Sequence, residues 1–357
     1  MKMKFWILNT GGTLGMIHDQ SQEGHPLVPA KSASELMNGI ALPDDVEVVL
    51  VDFPKRQDST NVSHSDRVLM GEMIEAAYLN YDAFIIFHGT DSLAETTSFL
   101  AMMFKNSLQK PLYVIGAQMT KDEPGSEVKM QIENTLRAVK AFVRKGIVGV
   151  YNLCVTDVLS GARLAKKNES DYNAFHTPGM HAVAKAYPNV MLLSGFRNMD
   201  AKTFVQGLRL DKKFEREVAA IRVSVDTPPW VLADLVEKKR LKGVILQCKG
   251  AGQISDVIWE DGDRKYSWID AIEWATKAGI HVGIISPFED GRVNLDRYEL
   301  GKKVKAAGGI GLSSLTPDMG DVKFRMAIAM HPNDPAMIQK FIETDIIGEL
   351  LPGYEAI

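Results

Sequence analysis

The stretch Lys4–Gly15, KFWILNTGGTLG, decides the fold. Its apolar run, Phe5–Leu8, is too short for a helix and rich in residues that favour a pleated, doubly buried strand. The run then empties into Gly11-Gly12, followed at once by the hydroxyl of Thr13. Glycine accepts φ > 0 and lets another chain or a ligand approach the backbone closely. A buried strand ending in a glycine turn is how a parallel α/β sheet opens, and such sheets bind ligands beyond the carboxyl ends of their strands.

Working outward, further strands are expected at Val46–Phe53, Ala83–His88, Leu112–Ala117 and Ile147–Val155. Between them Ser65–Leu79, Leu93–Ser107 and Glu127–Lys145 carry apolar residues three and four apart, as in Ile132, Leu136, Val139 and Val143. This alternation predicts a mostly parallel sheet flanked by helices. Residues 196–217 turn polar and irregular and read as a connection. A second α/β alternation follows, with strands at Val218–Val225, Val244–Cys248 and His281–Ser286. Its helices are expected at Pro229–Lys239, Trp268–Ala278, Leu295–Ala307, Pro317–Met330 and Pro335–Leu350. The expected organisation is a larger N-terminal α/β domain over 1–195, a linker over 196–217 and a smaller C-terminal α/β domain over 218–357, with no sequence repeat between them.

Composition narrows the function. With 41 Lys+Arg against 45 Asp+Glu, the net charge of −4 supplies no field to collect nucleic acid or an anionic membrane surface. No stretch approaches the roughly 20 apolar residues of a membrane span. The first apolar run is too short for a signal peptide, so a cytoplasmic location is expected. Cys154 and Cys248 each sit in an apolar strand-like run and read as reduced, buried thiols. No residue set has metal-ligand spacing, and neither metal nor cofactor is expected.

Polar residues directly after strands are therefore the ones to weigh. A dinucleotide loop at Gly11–Gly15 fails on spacing: the fingerprint needs glycine at position 10, which is threonine, and Gly11 and Gly12 are adjacent. The third strand ends in His88-Gly89-Thr90-Asp91-Ser92, where Asp91 or Ser92 alone would read as a cap for the following helix. Two hydroxyl-bearing strand ends together point elsewhere. An alcohol nucleophile needs a base and a polarised carbonyl, which a second strand-end cluster and a helix N-terminus supply.

Thr10-Gly11-Gly12-Thr13 and His88-Gly89-Thr90-Asp91-Ser92 resemble the two signatures, TGGTI and HGTDT, of the bacterial-type L-asparaginase family. The similarity continues through Asp58-Ser59-Thr60, Gly116-Ala117-Gln118, Gly161–Lys166 and Asn173-Ala174-Phe175, and more loosely through Gly243–Gly252 and Gly291–Asn294. The resemblance implies that Thr13 attacks the side-chain amide carbon of L-asparagine, forming an ester that water hydrolyses after ammonia leaves. It implies that Lys166, against Thr90 and Asp91, relays the proton. The backbone N–H of Thr90, just before a helix, is suited to the developing oxyanion. Asp58, Ser59, Thr60, Thr90, Asp91, Ala117 and Gln118 would hold the substrate, with its carboxylate near Ser59 and its ammonium on Asp91. A homodimer or homotetramer is also implied, with Gln253 as a contact to a partner's site.

The sequence departs from the family in the loop after the first strand. The family carries a tyrosine there that bonds the nucleophile and closes as a lid, yet residues 16–30, MIHDQSQEGHPLVPA, contain none. His25 holds the nearest place, either as a substitute proton partner or as an exposed loop histidine. Glutaminase side activity accompanies the leading expectation. Two other readings are an ammonia-producing subunit of a tRNA-dependent amidotransferase, which shares these motifs but usually carries an extra N-terminal domain, and a non-catalytic asparagine-binding protein.

Overall fold

A computed structural model describes residues 2–29, 31–193, 207–238 and 240–352. The chain divides into two compact units, Met1–Lys212 and Lys213–Ile357. Half of the expected connection, residues 196–206, lies outside the described residues.

The first unit opens with β1 (Met3–Gly11), a hairpin of β2 (Met16–His18) and β3 (Leu27–Pro29), and the short helix α1 (Ala33–Met37). Then come β4 (Val46–Gln57), α2 (His64–Ala77), β5 (Ala83–Phe87), α3 (Leu93–Phe104), β6 (Pro111–Ile115), α4 (Val128–Lys145) and β7 (Gly149–Cys154). Five shorter strands finish it: β8 (Asp157–Ser160), β9 (Ala165–Lys166), β10 (Phe175–His176), β11 (Ala184–Lys185) and β12 (Met191–Leu192). The main sheet runs β12-β11-β8-β7-β6-β5-β1-β4. Its β4, β1, β5, β6 and β7 are parallel, and β8, β11 and β12 extend it by antiparallel pairing.

The central position of β1 explains its apolar run. Phe5 and Ile7 pack with Ile85, Phe87, Tyr113 and Ile115 against Leu36 of α1 and the Ile132-Leu136-Val139-Phe142 stripe of α4. The alternate residues Trp6, Leu8, Phe84 and Ile86 are equally buried, as period-2 alternation requires of a strand covered on both faces. Ser63 and Asp66 form a capping box that starts α2, and Gly146, left-handed at φ 63°, ends α4.

Two features depart from the expected strands. β4 continues past Phe53 through Pro54 to Gln57. It is the sheet's outer strand, where a residue lacking an N–H is tolerated. The antiparallel extension begins at a two-residue turn, Val155-Thr156, in which Val155 has φ 58°, a left-handed conformation a β-branched residue avoids. Two α4 side chains hold it: Gln131 Oε1 accepts from Val155 N at 3.0 Å, and Asn134 Nδ2 donates to Val155 O at 3.1 Å.

The second unit carries β13 (Val218–Arg222), α5 (Trp230–Lys238), β14 (Gly243–Gln247), a hairpin of β15 (Trp259–Asp261) and β16 (Arg264–Tyr266), and α6 (Trp268–Lys277). It continues with β17 (His281–Ile285), α7 (Glu299–Ala306), β18 (Ile310–Gly311), α8 (Pro317–Met330) and α9 (Pro335–Glu343). Its sheet, β13-β14-β17-β18, is wholly parallel. The α/β class with a larger first unit and a smaller second one is as expected. Helix α9 stops at Glu343 rather than at Leu350. The buried Lys323 ammonium takes the carbonyls of Ile342 and Thr344, and Glu349 takes the N–H groups of Ile346 and Ile347, so these backbone groups have partners other than a next helical turn.

Candidate active site

The site is built on three strand ends of the first unit pressed backbone to backbone. After β1, Gly11 and Gly12 adopt φ 106° and 83°. A side-chain carbon on Gly12 would stand 2.3 Å from the Cα and N of Gly89, and one on Gly89 would stand 2.6 Å from Ser59 Oγ. Only glycine fits these positions. The turns carrying Thr13, Thr90 and Ser59 are thereby brought together. Thr10 Oγ1 donates to Phe87 O at 2.8 Å and ties the first turn to the end of β5.

Thr13 opens a single 3-10 turn, Thr13–Gly15, and is half-buried. Thr90, just before α3, is buried. Neither of the two residues after it caps that helix. Ser92 Oγ donates instead to Ser59 O at 2.6 Å, and Asp91 turns to Lys166. The Lys166 ammonium lies 2.6 Å from Asp91 Oδ1 and donates to Thr90 Oγ1 at 3.0 Å. Lys166 comes from β9, paired antiparallel with β10 so that it faces Phe175. Its side chain is 17% exposed against 63% for Asp91, so the pair points a shielded cation at Thr90 and leaves a carboxylate open to solvent.

Ser59 is buried, with Thr60 exposed beside it, and the Asp58 carboxylate accepts from Thr60 N at 2.8 Å. Asp58 thus shapes this turn. Ala117 and Gln118 follow β6. Gln118 Oε1 accepts from Thr90 Oγ1 at 3.4 Å, and its amide nitrogen donates to Asp171 O at 3.2 Å. His25 stands apart in the exposed β2–β3 loop at φ 46°. Its carbonyl accepts from His18 Nδ1 at 2.9 Å, and His18 Nε2 reaches Glu123 Oε1 at 3.4 Å. Asp52 is held by the Asn9 amide and the Ala33 backbone N–H, which gives it a structural role.

Two residues were not singled out in the sequence. His88 is fully buried and its Nδ1 donates to Gly89 O at 2.8 Å, bracing the peptide whose N–H belongs to Thr90. Burial depresses its pKa to about 4, with the Arg67 charge adding to the effect, so it is neutral at pH 7. Glu127, buried at the start of α4, accepts from Gln118 N at 2.5 Å. The His88 signal was available in the HGTDS motif; that of Glu127 was not, since it precedes α4 like any acidic residue at a helix start. Cys154 and Cys248 are both free and buried, and burial raises both thiols, Cys248 to about 12.

The chain matches the family profile described as asparaginase, N-terminal, over residues 4–194, and the one described as glutaminase/asparaginase C-terminal domain over residues 217–342. It is 27% identical to L-asparaginase of Thermococcus kodakarensis, over 98% of this chain and 99% of that protein. It is 28% identical to a glutamyl-tRNA(Gln) amidotransferase component of Pyrococcus abyssi, over 97% of this chain and 76% of that one. The solved thermostable L-asparaginase from Thermococcus kodakarensis superimposes with a TM-score of 0.83 at 26% identity, covering 98% of this chain and all of that one. With both halves matched in order and the glycine-packed strand ends in place, the chain belongs to the asparaginase family.

Proposed function

We propose that the chain hydrolyses L-asparagine to L-aspartate and ammonia through an ester on Thr13, with some activity on L-glutamine. The observation that carries this reading is the Lys166–Thr90–Asp91 cluster, joined to the Thr13 turn through the contact of Gly12 with Gly89. Thr13 Oγ adds to the side-chain amide carbon, and the oxygen that becomes negative is met by the Thr90 N–H at the head of α3. As the Lys166 ammonium gives a proton to the departing nitrogen, the Thr90 hydroxyl passes its own to Lys166 and takes the one leaving Thr13, so that neutral ammonia leaves and Lys166 ends as it began. Water then adds to the ester, its proton returns to Thr13 Oγ, and aspartate is released. The exposed carboxylate of Asp91 suits the substrate's α-ammonium, and the Asp58-Ser59-Thr60 turn suits its α-carboxylate. Ala117 and Gln118 border the same space. The β2–β3 hairpin, which carries His25 where the family has its tyrosine, acts as the lid.

The reading extends to a cytoplasmic homodimer or homotetramer, which sedimentation equilibrium would distinguish. A second reading, the ammonia-producing component of an amidotransferase, draws support from the 28% identity to the Pyrococcus abyssi protein. Such a component would hand its ammonia to a partner enzyme. The test is ammonia release from L-asparagine and from L-glutamine by the purified chain alone. Turnover of asparagine in excess of glutamine is expected; no release from either would refute the hydrolase.

A further inference from the structure

Beyond the residues given chemical roles, we infer that Glu127 is a positioning residue that sets the proton direction of Thr90 through Gln118. Glu127 is buried, only 5% exposed, and its two carboxylate oxygens are spent on one turn: Oε1 accepts from Gln118 N at 2.5 Å and Oε2 from Met119 N at 3.4 Å. A buried carboxylate is costly unless its lone pairs are used, so this arrangement fixes the turn after β6 firmly. Gln118 is then held at both ends, its backbone by Glu127 and its side-chain amide by Asp171 O at 3.2 Å.

The consequence falls on Thr90. Its hydroxyl has one hydrogen to give. The Lys166 ammonium can only donate, so Thr90 Oγ1 must accept from it, while Gln118 Oε1, whose own amide nitrogen is engaged by Asp171, can only accept. The line of donation therefore runs Lys166 to Thr90 to Gln118. In the resting site the Thr90 hydrogen is turned away from Lys166 and parked on Gln118. A cavity of about 10 Å³ bordered by Thr90, Ala117, Gln118, Glu127 and Cys154 lies beside this line, too small for a substrate. The carboxylate thus acts on hydroxyl orientation without touching the reacting atoms.

This inference rests on the proposed role of Thr90, and its test keeps the two apart. In Glu127→Gln, one of the two oxygens that accept separately from Gln118 N and Met119 N becomes an NH2 that can only donate, and kcat for asparagine should fall about tenfold or more while KM stays within about twofold, a modest version of the hundredfold cost of an ångström of misplacement. The same substitution in a Gln118→Ala background should lower kcat no further, because coupled residues are not additive. Independent structural damage would multiply instead, and that multiplication, or an unchanged kcat in Glu127→Gln, would overturn the inference. A second measurement does not depend on turnover. Hydrogen exchange at the Gln118 and Met119 amides should quicken at least about tenfold in Glu127→Gln, as expected when local protection is lost; unchanged exchange there would overturn the inference even if the parent chain released no ammonia.

Discussion

Lys166 answers to two partners at once, and the two have different energetic standing. The contact with the exposed Asp91 is that of a surface ion pair, worth about 0–1 kcal/mol to stability. In the proposed mechanism the contact with buried Thr90 carries the proton relay. Lys166→Met should therefore leave the urea midpoint nearly unmoved while turnover drops about 10²–10⁴-fold, the range for a lost proton-transfer group; parallel urea titration and ammonia assay check both halves. His88 gives the opposite case. Its folded pKa of about 4 lies below the ordinary 6.5, so between those values the unfolded chain binds the extra proton. Its contribution to stability is complete above pH 6.5 and is lost as pH falls toward 4, by roughly 3 kcal/mol at most. His88→Asn, which keeps a donor near Gly89 O, should flatten this part of the pH dependence in urea titrations against the parent chain. At this scale the strand-end places of Thr13 and Thr90 were legible, because each lies within three residues of the end of a strand. Lys166 was legible only through family resemblance, since nothing in RLAKKNES marks the one lysine whose strand pairing aims it at Thr90.

Elements were legible where a local pattern and the tertiary context agree. β1 reads correctly because its apolar run meets a central place in a parallel sheet. The β7–β8 turn is illegible because Val155-Thr156 is poor turn chemistry, rescued by Gln131 and Asn134 from a helix some twenty residues earlier. The end of α9 is hidden likewise, since its helical pattern runs on past Glu343 and it is Lys323 and Glu349 that take the backbone groups there. Lys323 and Glu349 are both fully buried, with Nζ 2.5 Å from Oε1. Removing one partner of such a pair costs about 3–5 kcal/mol, because the other charge is left uncompensated. Lys323→Met should lower stability by that amount, and Lys323→Met with Glu349→Leu should recover part of it, both read by urea unfolding followed through tryptophan fluorescence.

For the whole molecule, the two α/β alternations read in the sequence correspond to two compact units. The candidate residues gather in the first unit, where Gly12 and Gly89 let two strand ends touch and so bring the turn bearing Thr13 to the one bearing Thr90 and its Lys166 partner. The central claim is that the Thr13 hydroxyl carries the acyl group. The most direct measurement compares ammonia release from L-asparagine by the parent chain and by Thr13→Ala, with thermal unfolding of both as control. A fall of at least about 10³-fold is expected, in keeping with the loss of a nucleophile, at an unchanged unfolding midpoint. Turnover by Thr13→Ala at the parent rate would contradict it.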